Sequence, residues 1–94
     1  MNYYYIISCT RAEAKAWITK NTDRMLRQHL HPVFLAGIDT LRGVSEPKGV
    51  FLGEWYTRPD ALDIIQQLIL STNDLEKKQL FVDLVKTKFG QKDK

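Results

Sequence analysis

Cysteine is nearly absent from this chain of 94 residues: Cys9 is the only one, so no internal disulfide can form. A lone cysteine suits a reducing compartment, and we expect a cytoplasmic protein. Residues 1–5 place no basic region ahead of an apolar one, so we expect no secretory signal peptide. The longest nearly apolar stretch, residues 61–70, is interrupted by polar side chains and is too short to cross a bilayer. We therefore expect no membrane partner.

Glycine is also scarce, with five in the chain, and none lies in the segment directly after the first apolar run. ATP hydrolysis by P-loop proteins needs a glycine-rich loop that ends in Lys-Ser/Thr. Dinucleotide binding needs three spaced glycines at the same position. Here the first run is followed by Ser-Cys-Thr-Arg-Ala-Glu at residues 8–13. The sequence therefore predicts no bound cofactor.

No charge of one sign dominates the chain. Fourteen basic and eleven acidic residues give a net charge of +3, a mixture too even to demand nucleic acid. The hydrophobic fraction of 44% is typical of a globular protein. A chain of this length predicts one small domain, which we place at residues 1–90, followed by a frayed basic tail at residues 91–94.

Three apolar runs, at residues 3–8, 33–37 and 50–55, have the composition of buried strands. A helix follows the first run. Ser8 or Thr10 caps it, and Thr10 with Glu13 forms a capping-box pattern. We expect that helix to reach about residue 20, where the polar run 21–23 breaks it or starts a second short helix. His31-Pro32 then ends the helical region and introduces the second strand.

Two further helices are predicted in the second half of the chain. Pro59 suits the first position of a helix, and Asp60 complements the positive end of its dipole. Asn73 with Glu76 predicts the cap of the last helix. The apolar face predicted for that helix consists of Leu80, Phe81, Leu84, Val85 and Phe89.

The order of these elements predicts the α/β class: a small three-stranded, mostly parallel, Rossmann-like sheet flanked by helices, with a C-terminal amphipathic helix. A single turn of helix is expected around residues 39–42, and Gly43 ends it. Three strands make a small sheet. The domain is therefore either minimal, or a partner or second copy covers an exposed edge strand, which would give a homodimer.

An arginine lies a few residues beyond each apolar run: Arg11, Arg42 and Arg58. If the runs are parallel strands, the three guanidinium groups gather at the carboxyl edge of the sheet, where open α/β sheets bind ligands. Arginine suits carboxylate, phosphate and aromatic partners. The residues predicted to bind at this edge are Arg11, Asp39, Thr40, Arg42, Glu54, Trp55, Tyr56 and Arg58.

A purely structural interpretation of the same residues stays open. Asp39, Glu54 and Asp60 would neutralise the arginines in surface ion pairs, each worth ~0–1 kcal/mol. Trp55 would then cap the sheet and contact no partner. Between a binding edge and a structural edge the sequence does not decide.

Catalytic and metal chemistry have little support in the residues. Cys9 lacks the anion-binding loop of a cysteine phosphatase, and His29 and His31 are too few to form a metal site. We predict no catalytic residue and no metal ligand. The enzymatic alternative is a small nucleotide- or nucleoside-recognising enzyme with Glu54 or Asp39 as its acid.

Two families resemble parts of the chain. Thr-Leu-Arg-Gly at residues 40–43, within residues 32–70, resembles the second RecA-like half of helicases, but its nucleotide motifs are missing. Leu-Arg-Gly at residues 41–43 with Gly-Glu-Trp-Tyr at residues 53–56 is similar to small Rossmann-like accessory proteins of bacteriophages. This resemblance implies a phage or prophage product and carries over no catalytic residue.

Together these observations predict a small accessory or inhibitor protein that binds a macromolecule through the carboxyl edge of its sheet. A host or phage protein is the first-choice partner, and nucleic acid is the second.

Overall fold

The computed structural model describes residues 2–89, which form an α/β fold with three parallel strands in one open sheet. Single helical turns lie at Ile38–Leu41 and Trp55–Thr57. The longer elements are β1 (Asn2–Ile7), α1 (Arg11–Arg27), β2 (Leu30–Phe34), β3 (Lys48–Phe51), α2 (Ala61–Ser71) and α3 (Leu75–Phe89). The predicted α/β class, parallel three-stranded sheet and C-terminal helix are confirmed.

The described residues form two compact units. The sheet unit comprises residues 2–36 and 48–55 and contains the three strands and α1. The helical unit comprises residues 37–47 and 56–89 and contains α2 and α3. A single domain reaching residue 90 stays a prediction, and residue 90 itself and the predicted basic tail at residues 91–94 lie outside the described residues.

The strand β1 is the centre of the sheet, with β2 on one side and β3 on the other. Tyr5 is aligned with Val33 of β2 and with Gly49 of β3. Tyr5, Ile6 and Ile7 are buried in this central strand. The burial predicted for the first apolar run is thus confirmed for these three residues, whereas Tyr3 of the same run is 50% exposed.

The helix α1 is longer than the sequence predicted. It runs without a break from Arg11 to Arg27, so the interruption expected at residues 21–23 is wrong, as is a separate second helix. The side-chain amide of Asn21 donates to the carbonyl of Trp17 at 2.8 Å, and the Thr22 hydroxyl donates to that of Ile18 at 2.8 Å. These polar side chains bond back to the preceding helical turn, so they continue the helix.

The strand β2 begins earlier than predicted, at Leu30, and includes His31 and Pro32. The hydrogen-bond pattern of this strand explains why proline is tolerated at residue 32. The N–H of Leu35 donates to the carbonyl of Ile6 at 3.0 Å. Because strand residues alternate in direction, the nitrogen of Pro32 points away from β1, where no ladder hydrogen bond needs a donor.

The helical unit corrects three details of the predicted caps and faces. Asp60 is the residue before α2, and Pro59 precedes that cap and is not the first helical residue. The helix α3 is capped by Asp74, whose carboxylate accepts from the backbone N–H groups of Glu76 and Lys77, so the cap predicted at Asn73 is wrong. The apolar face predicted for α3 is also too wide, because Leu80, which was assigned to that face, is 62% exposed.

The predicted helical turn near residue 40 is confirmed at Ile38–Leu41. Gly43 follows it with a φ of +79°, a left-handed conformation that favours glycine and ends the turn. Among residues 2–89, no helix combines the length and the apolar character that crossing a bilayer requires.

Candidate functional site

The segment that follows β1 builds the carboxyl edge of the sheet unit. The buried Ser8 hydroxyl donates to the carbonyl of Thr10 at 2.7 Å. Thr10 is extended, and its hydroxyl oxygen accepts from the N–H of Glu13 at 3.2 Å, which confirms the predicted cap. This cap makes Arg11 the first residue of α1 and fixes where its side chain leaves the backbone.

Arg11 lies against Phe34, the last residue of β2. The guanidinium carbon is 4.8 Å from the centre of the phenyl ring, within the range of a cation–π contact. Arg11 is exposed, and among residues 2–89 no carboxylate forms an ion pair with it. The exposed arginine and the half-buried phenylalanine thus form a pair at the carboxyl edge of the sheet unit.

Glu13 brings a negative charge to the β3 side of the same edge. A β-carbon on Gly53, which follows β3, would lie 2.6 Å from Oε2 of Glu13. Gly53 has a φ of +52°, so its lack of a side chain serves both the backbone conformation and the approach of the carboxylate. The edge of the sheet unit therefore carries a cation at its β2 side and a carboxylate at its β3 side.

Trp55 is part of the core and is 3% exposed. Its ring centre is 4.4 Å from that of Phe51, and its backbone N–H donates to the carbonyl of Leu52 at 3.2 Å. These contacts hold the segment after β3, including the exposed Glu54, against the end of the strand. This placement matches the capping role that the structural interpretation assigned to Trp55.

The other predicted residues belong to the helical unit. Arg42 is paired with Asp39 at 3.1 Å, with side chains 70% and 84% exposed, and Thr40 lies between them on the surface. Such an exposed pair is worth ~0–1 kcal/mol. It neutralises Arg42 without fixing a rigid geometry.

Arg58 forms the second ion pair of the helical unit, and this one is largely buried. Its Nε donates to Oδ1 of Asp60 at 2.9 Å and its Nη2 donates to Oδ2 at 3.0 Å, a bidentate fork. The Arg58 side chain is 7% exposed. In the same unit, Nζ of Lys88 lies 4.8 Å from the ring centre of Tyr56.

The predicted site residues are thus divided between two units. Arg11, Glu54 and Trp55 lie in the sheet unit. Asp39, Thr40, Arg42, Tyr56 and Arg58 lie in the helical unit. The convergence of all three arginines on one edge stays a prediction, whereas the neutralisation of Arg42 and Arg58 by nearby aspartates is confirmed.

Two residues of the sheet-unit edge, Phe34 and Glu13, are absent from the site that the sequence predicts. The last residue of a parallel strand lies at the carboxyl edge, which is the signal that points to Phe34. For Glu13 the sequence indicates only a helix cap. Within residues 2–89, no cluster of three or more His, Cys, Asp and Glu side chains could hold a metal ion, and Cys9 is exposed.

No protein-family model matches this chain, and no curated protein or solved structure matches it either.

Proposed function

We propose that this chain is a non-enzymatic accessory protein that binds a partner protein through the carboxyl edge of its sheet unit. The observation that carries the proposal is the exposed Arg11 stacked on Phe34. Arginine beside an aromatic ring is a frequent composition of interface hot spots. Thr10, Glu13 and Gly53 belong to the same carboxyl edge of the sheet unit.

The charges at this edge favour a protein over a nucleic acid. A strand of phosphates is bound by several cations together, and each contact adds to the salt dependence of binding. Within the sheet unit, Arg11 is the predicted site arginine, and Glu13 brings a carboxylate to the edge itself. The other two predicted arginines, Arg42 and Arg58, belong to the helical unit and pair with aspartates there. A mixed surface of one arginine, one glutamate and an aromatic ring suits the mixed surface of another protein.

The enzymatic alternative keeps Glu54 or Asp39 as its acid. Asp39 forms an ion pair with Arg42. A Glu54→Gln variant separates the two classes, because an acid–base role would be lost while a binding role would change little.

The source, the inhibitor role and the cellular location of the protein stay predictions. A phage or prophage source, an inhibitor role and a cytoplasmic location were expected from the resemblance and the lone cysteine. We carry them forward as part of the proposal, with a host or phage protein as the partner.

The first experiment compares three forms of the protein in affinity capture from a bacterial lysate. We expect the wild type and Arg42→Ala to retain the same partner and Arg11→Ala to lose it. Arg42 is the matched control because it is also an exposed arginine, but it is neutralised by Asp39. Arg58 is unsuitable as a probe of binding, since its burial means that replacing it also tests stability.

Equal capture by Arg11→Ala and wild type would contradict the proposal. A parallel titration with single- and double-stranded oligonucleotides, followed by tryptophan fluorescence at low and moderate salt, tests the other partner class. A saturable, steeply salt-dependent change that Arg11→Ala removes would replace protein by nucleic acid as the partner.

A further inference from the structure

An open cavity of about 330 Å³ lies at the turn from α1 to β2 and is lined by Leu26, His29, Leu30 and His31. These residues surround the beginning of β2, so the cavity lies at the amino end of that strand and away from the carboxyl edge around Arg11. Small-molecule sites typically measure about 300–1,000 Å³. The volume therefore suits a molecule of one or two rings.

Backbone hydrogen bonds close the turn that forms this cavity. The N–H of Gln28 donates to the carbonyl of Arg24, and the N–H of His29 donates to that of Leu26 at 3.1 Å. The backbone of His29 adopts the left-handed conformation, with a φ of +57°. This conformation commonly ends a helix and is usually taken by glycine, but here the residue contributes an imidazole to the cavity.

The lining combines apolar walls with two imidazoles. Leu26 is 67% exposed although it is a large apolar residue, and Leu30 is half-buried. The ring of His31 meets that of Tyr3 edge-on, with centres 5.5 Å apart, and Tyr3 is 50% exposed. An aromatic ligand would thus find two leucine side chains and two imidazole rings beside it.

The chain segment that forms the cavity is rich in basic side chains. Residues 24–31 contain two arginines and both histidines of the chain, and Asp23 directly precedes them. Arg27, next to Leu26, is exposed, and the guanidinium of Arg24 lies 5.5 Å from the ring centre of Trp17. This composition complements an anion.

We infer that the cavity binds a small aromatic carboxylate. The ring lies between Leu26 and Leu30, and the carboxylate accepts hydrogen bonds from the imidazoles of His29 and His31. Each imidazole carries at least one N–H donor in either protonation state. A metal ion fits less well, because structural and catalytic zinc sites use three or four protein ligands and the cavity offers two.

The test titrates naphthoate into isotope-labelled full-length protein and follows the backbone amides by NMR. We expect saturable shifts concentrated at residues 26–31 with a Kd of about 1 mM, a value typical of a fragment of this size. Naphthalenemethanol has the same rings without the charge. We expect it to bind about tenfold more weakly, since an ionised partner makes the stronger hydrogen bonds.

Two pairs of variants locate the site. Leu26→Asp should abolish the shifts, because it adds a negative charge to the apolar wall. Leu70→Asp is its matched control, since Leu70 is 76% exposed in the helical unit, and it should bind as the wild type does. His29→Gln and His31→Gln should weaken naphthoate but leave naphthalenemethanol unchanged, and dispersed amide spectra would verify that each variant is folded.

Several results would overturn the inference. They are no saturable shift up to about 10 mM naphthoate, shifts centred outside the turn, or equal affinity for the acid and the alcohol. Tighter binding of N-acetylphenylalanine amide than of naphthoate would also overturn it. That result would assign the cavity to an uncharged side chain of a protein partner.

Discussion

Gly49 of β3 lies so close to Tyr5 of β1 that a β-carbon on Gly49 would overlap the backbone oxygen of Tyr5. The two residues are aligned in the parallel ladder between these strands. The absence of a side chain at Gly49 therefore allows β3 to pair with β1. Glycine at this one position thus permits the third strand to join the sheet.

Replacing Gly49 by alanine should destabilise the fold by about 1–3 kcal/mol, because the clash is with backbone atoms that cannot rotate away. Chemical denaturation measures this change. Gly37→Ala is the control: nothing lies within 4 Å of the added carbon, and its φ of −165° is open to any residue. An equal loss in both variants would contradict the close approach at Gly49.

The two arginine–aspartate pairs of the helical unit should differ in energy although their chemistry is the same. Asp60→Asn should cost about 1.5–3 kcal/mol, because it weakens the bidentate contact of an arginine that is 7% exposed. Asp39→Asn should change the free energy of unfolding by less than about 0.5 kcal/mol, because both partners are largely in water. Similar values for the two variants in thermal or urea unfolding would refute this distinction.

The cap of α3 can be tested at two adjacent residues. Asp74→Ala should lower stability by about 1 kcal/mol, since the carboxylate accepts from the N–H groups of Glu76 and Lys77. Asn73→Ala should cost less than about 0.5 kcal/mol. The contact of Asn73 with the Glu46 carboxylate is made by its backbone N–H, which alanine retains. A larger loss at Asn73 would restore the cap predicted from the sequence.

Tyr5 should make the protein sensitive to alkali. Burial raises the pKa of its phenol above the ordinary value of 10.0, and the nearby Tyr3 phenol adds to the effect. The unfolded chain therefore ionises first. The contribution of Tyr5 is complete below about pH 10 and is lost as the pH rises through the folded pKa.

Tyr5→Phe should consequently reduce the loss of stability above about pH 10, as measured by urea unfolding across the alkaline range. Tyr4→Phe serves as the control, because it leaves the Tyr5 phenol in place and should retain the wild-type profile. Identical profiles for Tyr5→Phe and the wild type would show that Tyr5 does not contribute.

Local signals in the sequence were sufficient for several features. The existence of the three strands, the Thr10 cap and the helical turn before Gly43 were predicted, because each depends on residues within a few positions of one another. The bounds of the third strand were not, since β3 is Lys48–Phe51 and the predicted run was 50–55. The break expected at residues 21–23 failed for a local reason too. Polar side chains can bond to the preceding helical turn as well as end a helix, and composition does not show which occurs.

The candidate site was only partly accessible from the sequence. The edge after β1 and Arg11 were predicted, because the residues after a parallel strand lie at a known end of the sheet. Burial decided the remainder: Trp55 belongs to the core and Arg58 is largely enclosed. Phe34 and Glu13 were missed because their importance depends on neighbours in space.

By itself, the sequence determined the α/β class, the approximate position of each strand and the start of α1, since periodicity and capping act over short distances. Only the tertiary structure decided that β1 lies between β2 and β3, that Gly49 must approach Tyr5, and that Arg11 lies against Phe34. These features depend on contacts between segments far apart in the chain, and the free energy of such contacts is not a property of either segment alone.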